Sequence, residues 1–284
     1  MVELRNESLY LAIDPLGAEI RRAECDGRSV IWEGDGTFWK GSAPVLFPIC
    51  SGLAEDHYLY KGKRYSMPKH GFAKTTVFSV EEQGADHATF LLSSAEHPRE
   101  DYPFSYELRV SYRLVGRTVL VDYHVTNCSD TEPLYFSIGA HEGYTCPQGL
   151  SGYTVRFENP ETLRAYQLEG PLLSDRFEEL GRDVTELPLS DAHFAIDALI
   201  FKDLTSRRLW LLAKDGSSRI RVEYEGFPYL LIWSRPGAPF VCIEPWCGIT
   251  DPVGPVRDIA KKPGIISLPP CGTTTRTHSF TVEI

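Results

Sequence analysis

Eight histidines are spread through the chain, and two of them sit among small residues. His141 lies in "IGAHEGY", between Gly139-Ala140 and Gly143, just past an apolar run. His70 lies in "MPKHGFAK", where Gly71 lets the backbone pass close to another group. Taken alone, each is more often a structural histidine than a catalytic one. Glu244 changes that weighing. The stretch "PFVCIEPWCG" puts a carboxylate at the end of the most apolar run in the sequence. A buried carboxylate is costly without polar partners, its pKa rises, and chains carry that cost mainly at working sites. The structural alternative is an ion pair with an arginine such as Arg235. Two histidines and one buried glutamate suit general acid–base chemistry, which needs no cofactor.

Other chemistries find less support. There is no phosphate-cradling glycine loop and no GxSxG elbow. Cys146 stands near His141 and raises the thought of a thiol nucleophile, but nearness in sequence is poor evidence for a catalytic pair. Cys242 and Cys247 share a segment, yet zinc needs further ligands, and none stands at a short spacing. No metal and no cofactor are therefore expected. His57, His87 and His97 occupy polar, turn-like surroundings, His124 lies on the polar face of a strand, and His278 opens a Thr-rich one. These five read as structural or surface residues, and His193 lies in an ambiguous loop. Trp32, Trp39, Trp233 and Trp246 offer aromatic faces of the kind that pack against the C–H faces of sugar rings. Trp246, two residues after Glu244, should share its side of an extended strand unless Pro245 disturbs the alternation. Trp32 and Trp233 read as core.

The elements that must position these groups are strands. In "SYELRVSYRL", Tyr106, Leu108, Val110, Tyr112 and Leu114 alternate with polar residues, giving one buried and one wet face. Gly116-Arg117 breaks the run, and "TVLVDYHVTN" follows with Val119, Val121, Tyr123 and Val125 on one face, a hairpin pattern. "SSRIRVEYEG" repeats the alternation. "FPYLLIWS" and "FVCIEPW" are uniformly apolar, as expected of strands covered on both sides. "VFSVEE", "ATFLLSS", "RRLWLLAKD" and "THSFTVEI" also read as strands. Residues 172–193 are the best helical or irregular candidate. With 20 prolines and 23 glycines, the pattern predicts one large antiparallel all-β sandwich, a single domain over 1–284.

Composition narrows the partners. The chain has 284 residues, 42% of them hydrophobic, and a net charge of −10. An acidic chain lacks the basic footprint that nucleic acid requires. No stretch approaches about 20 apolar residues, so no membrane span is expected. The N-terminal "MVELRNESLYL" lacks the basic-then-apolar pattern of a signal peptide. Seven cysteines without framework spacing read as free thiols in a reducing cytoplasm. The oligomeric state is open.

Seven segments resemble, in order, the aldose 1-epimerase (galactose mutarotase) family, and most closely its LacX-like branch. They are "PLGAEI", "APVLFPI", "PKHGFAK", "YPFSYELRVSYRL", "GAHEGYTCP", "DALIF" and "CIEPWCGITD", and together they span nearly the whole chain. The resemblance implies a β-supersandwich with its site on a concave sheet face and a small-molecule sugar as ligand. It implies that His141 is the general acid and Glu244 the general base. It further implies that His70 and Asp197 hold sugar hydroxyls and that Phe47 and Trp246 line the pocket.

Three positions depart from the family pattern. Gly52 stands where the family usually carries an arginine after "FP". Lys74 replaces the branch's usual arginine in "HGFAR" and offers a point charge without the bidentate fork, which argues against a 6-phosphorylated hexose. Glu142-Gly143 replaces a proline followed by a small or aromatic residue, and a carboxylate there is expected to raise the His141 pKa. The implied activity is interconversion of α and β anomers, with space around His141 for a sugar ring. The rivals are a non-catalytic carbohydrate-binding or sensing protein, a hexose-6-phosphate mutarotase, and a glycoside hydrolase or lyase using a carboxylate pair such as Glu244 and Glu142.

Overall fold

The computed structural model describes residues 1–283, and the chain is folded almost entirely as antiparallel sheet. One 13-stranded sheet dominates. It runs from Glu142–Thr145 through Phe240–Trp246, Tyr229–Trp233, Leu199–Phe201, Tyr153–Glu169, Arg208–Ala213 and Arg219–Glu223, then on through Thr273–Val282, Thr118–Asn127, Tyr106–Val115 and His87–Ser93 to Ser79–Gln83. A four-stranded sheet from the N-terminus, between Val2 and Ser29, and two strand pairs complete the set. The expected hairpin forms as read: Val121 stands opposite Tyr112 and Tyr123 opposite Val110, so the apolar set of both strands faces the core.

The strands at the functional end are held by a tight register. Ile243 stands opposite both Glu142 and Ile232, and Glu244 stands opposite Leu231. Phe240–Trp246 is buried along its whole length, as a strand covered on both faces should be. Pro245 pairs with Leu230 in unbroken register, so it does not disturb the alternation, and Glu244 and Trp246 both face the cavity.

Residues 172–193, the helical or irregular candidate, contain no α-helix and are mostly strand. Leu172–Pro188 is a strand paired with Tyr153–Glu169, followed by a short 3-10 turn at Asp191–Phe194. The reason lies in exposure and register. Most of this strand is wet on both faces, and several register shifts interrupt the pairing, so no period-two apolar signature survives. Its turn end is pinned where Leu173 donates its N–H to the Asp251 carbonyl and accepts from the Val253 N–H.

Candidate active site

The cross-strand register builds the site. Antiparallel partners point to the same face. Continuing the Glu142–Ile243 pairing by one residue sets His141 directly across from Glu244, and Leu231 and Ile200 extend the row along the sheet. All four line a cavity of about 870 Å³. Nε2 of His141 lies 3.2 Å from Oε2 of Glu244, and both side chains are buried. The carboxylate's partner is thus a histidine rather than Arg235, which sits at the exposed rim.

Glycines around His141 make room for indole rings. A Cβ at Gly143 would come within 3.1 Å of the Trp39 ring, and one at Gly139 within 2.6 Å of Trp246 Cδ1. Trp39 stacks on the His141 imidazole with centroids 5.1 Å apart, and Trp233 meets it edge-on at 5.9 Å. Trp246 donates its Nε1–H to the Ala140 carbonyl. The small residues therefore serve aromatic packing first, and the ring's open side faces the cavity. Trp233, read as core from the sequence, lines the cavity. Trp32 stacks on Phe240.

His70 approaches from a loop. Its backbone is left-handed, with φ 68°, and its Nδ1 accepts the Ser51 N–H at 3.1 Å. That bond leaves the imidazole proton on Nε2. Gly71 follows at φ 69°, and a Cβ there would meet the Phe47 carbonyl at 2.2 Å; this carbonyl is the group the glycine lets the backbone approach. The His70 ring stands 5.6 Å from that of His141 and 5.4 Å from that of Trp246.

Asp197, Lys74 and Trp246 also line the cavity. Phe47 does not. It is fully buried among Phe72, Tyr102, Tyr106 and Phe136, while its neighbour Leu46 faces the cavity. Successive residues of extended chain point to opposite sides, so a pocket-lining segment presents only every second side chain. Glu142 needs the same correction. Its carboxylate points away from the dyad and bonds His278 Nε2 at 2.9 Å inside the core, so it is neither a partner of His141 nor the second carboxylate of a hydrolase pair.

Sequence reasoning left Lys69 and Cys242 out of the site and offered Trp39 only as one of four aromatic faces for a sugar ring. Lys69 lines the cavity beside His70. The signal for Cys242 was available, since it precedes Glu244 by two residues and so shares its face. One donor atom each from His141, Cys242 and Glu244 lies within 4.8 Å of the other two, which makes this trio the place where a cation could be held. Cys247 belongs elsewhere, with its thiol turned to the Gly226 carbonyl. At Gly52 a Cβ would make ordinary contacts, 3.6 Å to Thr250 Oγ1 and 3.7 Å to the Pro171 carbonyl in the turn of the long hairpin.

Electrostatics set the dyad's proton. Burial pushes Glu244 well above the usual carboxylate range; Lys69 opposes this, and Glu142 and Asp197 add to it. Burial pushes His141 down to about 3. Both shifts disfavour charge on an isolated group. A protonated glutamate facing a neutral imidazole holds the same number of protons as a carboxylate facing an imidazolium. The pair thus keeps one transferable proton and no net charge. Burial, then the charges of His141 and Lys74, also hold His70 well below its ordinary value, consistent with a neutral ring donating from Nε2.

Comparisons with known proteins agree with this architecture. Residues 1–265 match the family model described as aldose 1-epimerase. Protein LacX (plasmid) of Lactococcus lactis subsp. lactis is 28% identical over 99% of each chain. The structure of a galactose mutarotase related enzyme from Lactobacillus acidophilus is 30% identical, with a TM-score of 0.93 over 99% of this chain and 97% of that one. A galactose mutarotase-like protein from Lactobacillus casei is 27% identical, with a TM-score of 0.93 over 100% of both chains.

Proposed function

Because this chain belongs to the aldose 1-epimerase family, with the galactose mutarotase-like all-β fold, we propose that it interconverts the α and β anomers of an aldose by general acid–base catalysis. The observation that carries this reading is the buried His141–Glu244 dyad, with Nε2 and Oε2 3.2 Å apart on the wall of a cavity large enough for a sugar. When an aldose enters, its hydroxyls insert at the His141–Glu244 contact. Glu244 as carboxylate takes the proton of the anomeric hydroxyl while the C1–O5 bond breaks and His141 as imidazolium protonates O5. The open aldehyde rotates about C1–C2. Reclosure on the other carbonyl face reverses both transfers and returns the dyad to its starting state. No electron pair leaves the sugar and no water is consumed, so two proton-transfer groups suffice. His70, donating from Nε2, and Asp197, accepting, orient the ring hydroxyls. Trp39 and Trp246 flank the dyad and exclude water.

One observation favours a second reading of the substrate. Lys74 donates its ammonium to the Lys69 carbonyl at 3.0 Å rather than to a carboxylate, and both lysines line the cavity. Burial and the Lys69 charge pull Lys74 below the ordinary lysine range, so an anionic substituent on the sugar would be welcome there. Saturation-transfer NMR of anomer exchange over a panel of free and 6-phosphorylated aldoses tests both readings. Enhancement with free aldoses supports the first, and enhancement confined to phosphorylated ones supports the second. Binding of sugars with exchange no faster than buffer would leave a non-catalytic carbohydrate-binding protein.

A further inference from the structure

We propose that His141, Cys242 and Glu244 form a binding site for a thiophilic divalent cation, with Zn²⁺ the best-matched ion, and that cation and sugar compete for the same dyad. The donor atoms lie within 4.8 Å of one another, and the imidazole and carboxylate already stand at 3.2 Å. Zinc bonded to nitrogen, oxygen and sulfur in tetrahedral geometry needs donors about 3.3–3.8 Å apart. The trio must therefore close by no more than about 1.5 Å to meet it.

The surroundings fit the ion. All three side chains are buried; Cys242 and Glu244 stand on Phe240–Trp246, with Cys242 opposite Gly143 and Trp233, and His141 directly precedes the paired strand Glu142–Thr145. Cys146 turns its thiol to a backbone carbonyl, whereas the Cys242 thiol stands beside the dyad. One imidazole nitrogen, one thiolate and one carboxylate select a borderline ion such as zinc over Mg²⁺ or Ca²⁺, which prefer all-oxygen shells. Charge also balances. A +2 ion meets one thiolate and one carboxylate, so the buried site stays neutral as the thiol proton and the dyad's shared proton leave to solvent. Three protein donors leave a fourth position open toward the cavity, for water or a sugar hydroxyl. A cation held there occupies both proton-transfer groups, and exchange stops. His141 stands far in sequence from Cys242 and Glu244, just before the strand paired with theirs, so no short ligand spacing reveals the trio as a whole.

The test uses chelator-treated protein carrying Cys128→Ser and Cys271→Ser, which removes the exposed thiols. Calorimetry with Zn²⁺ should give one equivalent, and Co²⁺ should produce a thiolate-to-cobalt charge-transfer band in the near ultraviolet. Zinc should suppress anomer exchange, and chelator should restore it. Cys242→Ser should lose the cobalt band and need at least about tenfold more zinc to suppress its own metal-free exchange by the same fraction, because even outer-shell losses at metal sites cost about 10–100-fold. Cys242→Ala should behave alike and replaces the serine variant if that one melts early. A parent protein that binds Co²⁺ without the band, or unchanged zinc sensitivity in both Cys242 variants, would overturn the site. The inhibition arm rests on the proposed activity. If no sugar shows exchange, stoichiometry and the cobalt band still decide the cation site, so the two failures are distinguishable.

Discussion

Glu244 is a carboxyl group with one polar partner, His141, and an otherwise apolar strand around it. Its isostere Gln keeps the shape and loses the base. Glu244→Gln should lower anomer exchange by about 10²–10⁴-fold, the usual worth of a positioned acid or base, with an unchanged melting temperature. Wild-type exchange in this variant would remove Glu244 from the mechanism. The pH profile follows from the same burial. The active dyad carries one transferable proton. A second proton must go onto His141, which burial holds down to about 3, so the acid limb falls well below the ordinary histidine range. Loss of the shared proton is opposed by the upward push on Glu244, so the alkaline limb moves above the ordinary glutamate value of about 4.3. The profile of kcat/KM should be a plateau wider than two independent groups would give. His141→Asn should lose most of the rate and the plateau's shape. Wild-type exchange in that variant would make another group, His70 first, the acid.

At the scale of elements, period-two alternation sorts function from core. His141, Glu244 and Trp246 face the cavity, while their neighbours Glu142 and Ile243 face the core. The Phe47–Pro48 segment and the His70 loop are the exception to regular sheet, joined where the Phe72 and Ala73 N–H groups both donate to the Phe47 carbonyl. Gly71 is what permits that approach. Gly71→Ala would place a Cβ 2.2 Å from that carbonyl at φ 69°, and neither backbone can yield cheaply. The variant should lose about 3 kcal/mol of stability, the upper range for single substitutions. Its KM should rise as His70 is displaced. Denaturant melts together with exchange kinetics check both; a melt within about 0.5 kcal/mol of wild type would show that the loop shifts freely.

Over the whole molecule, one buried ion pair ties distant segments together beneath the site. Lys262 bonds Asp251 at 2.8 Å and the Ile249 carbonyl at 2.7 Å. The other Asp251 oxygen accepts the Ala54 N–H, three residues after the Ser51 whose N–H bonds His70. Lys262→Met leaves the carboxylate buried and unpaired and should cost about 3–5 kcal/mol. Replacing both partners with apolar residues should cost much less, because a buried pair must repay its own desolvation. Equal losses in single and double variants would mean that packing, and not charge, sets the cost.

Much of this protein was legible along the chain. Strand periodicity follows from side chains alternating across a pleat, so hairpins such as Tyr106–Val115 with Thr118–Asn127 could be read locally. Glu244 stood out because a carboxylate inside an apolar run is costly wherever it folds, and ordered motifs carried the family resemblance. The tertiary structure decided what depends on partners far away in sequence. It set Glu244 against His141, sent Glu142 to His278, and moved Phe47 into the core. It filled the space beside Gly139 and Gly143 with indole rings and brought Cys242 to the dyad. It also made residues 172–188 a strand, whose two wet faces and shifted register erase the local signal. Composition and alternation act through neighbours on one strand, whereas register between strands is set by packing across the whole sheet, and the site is a product of that register.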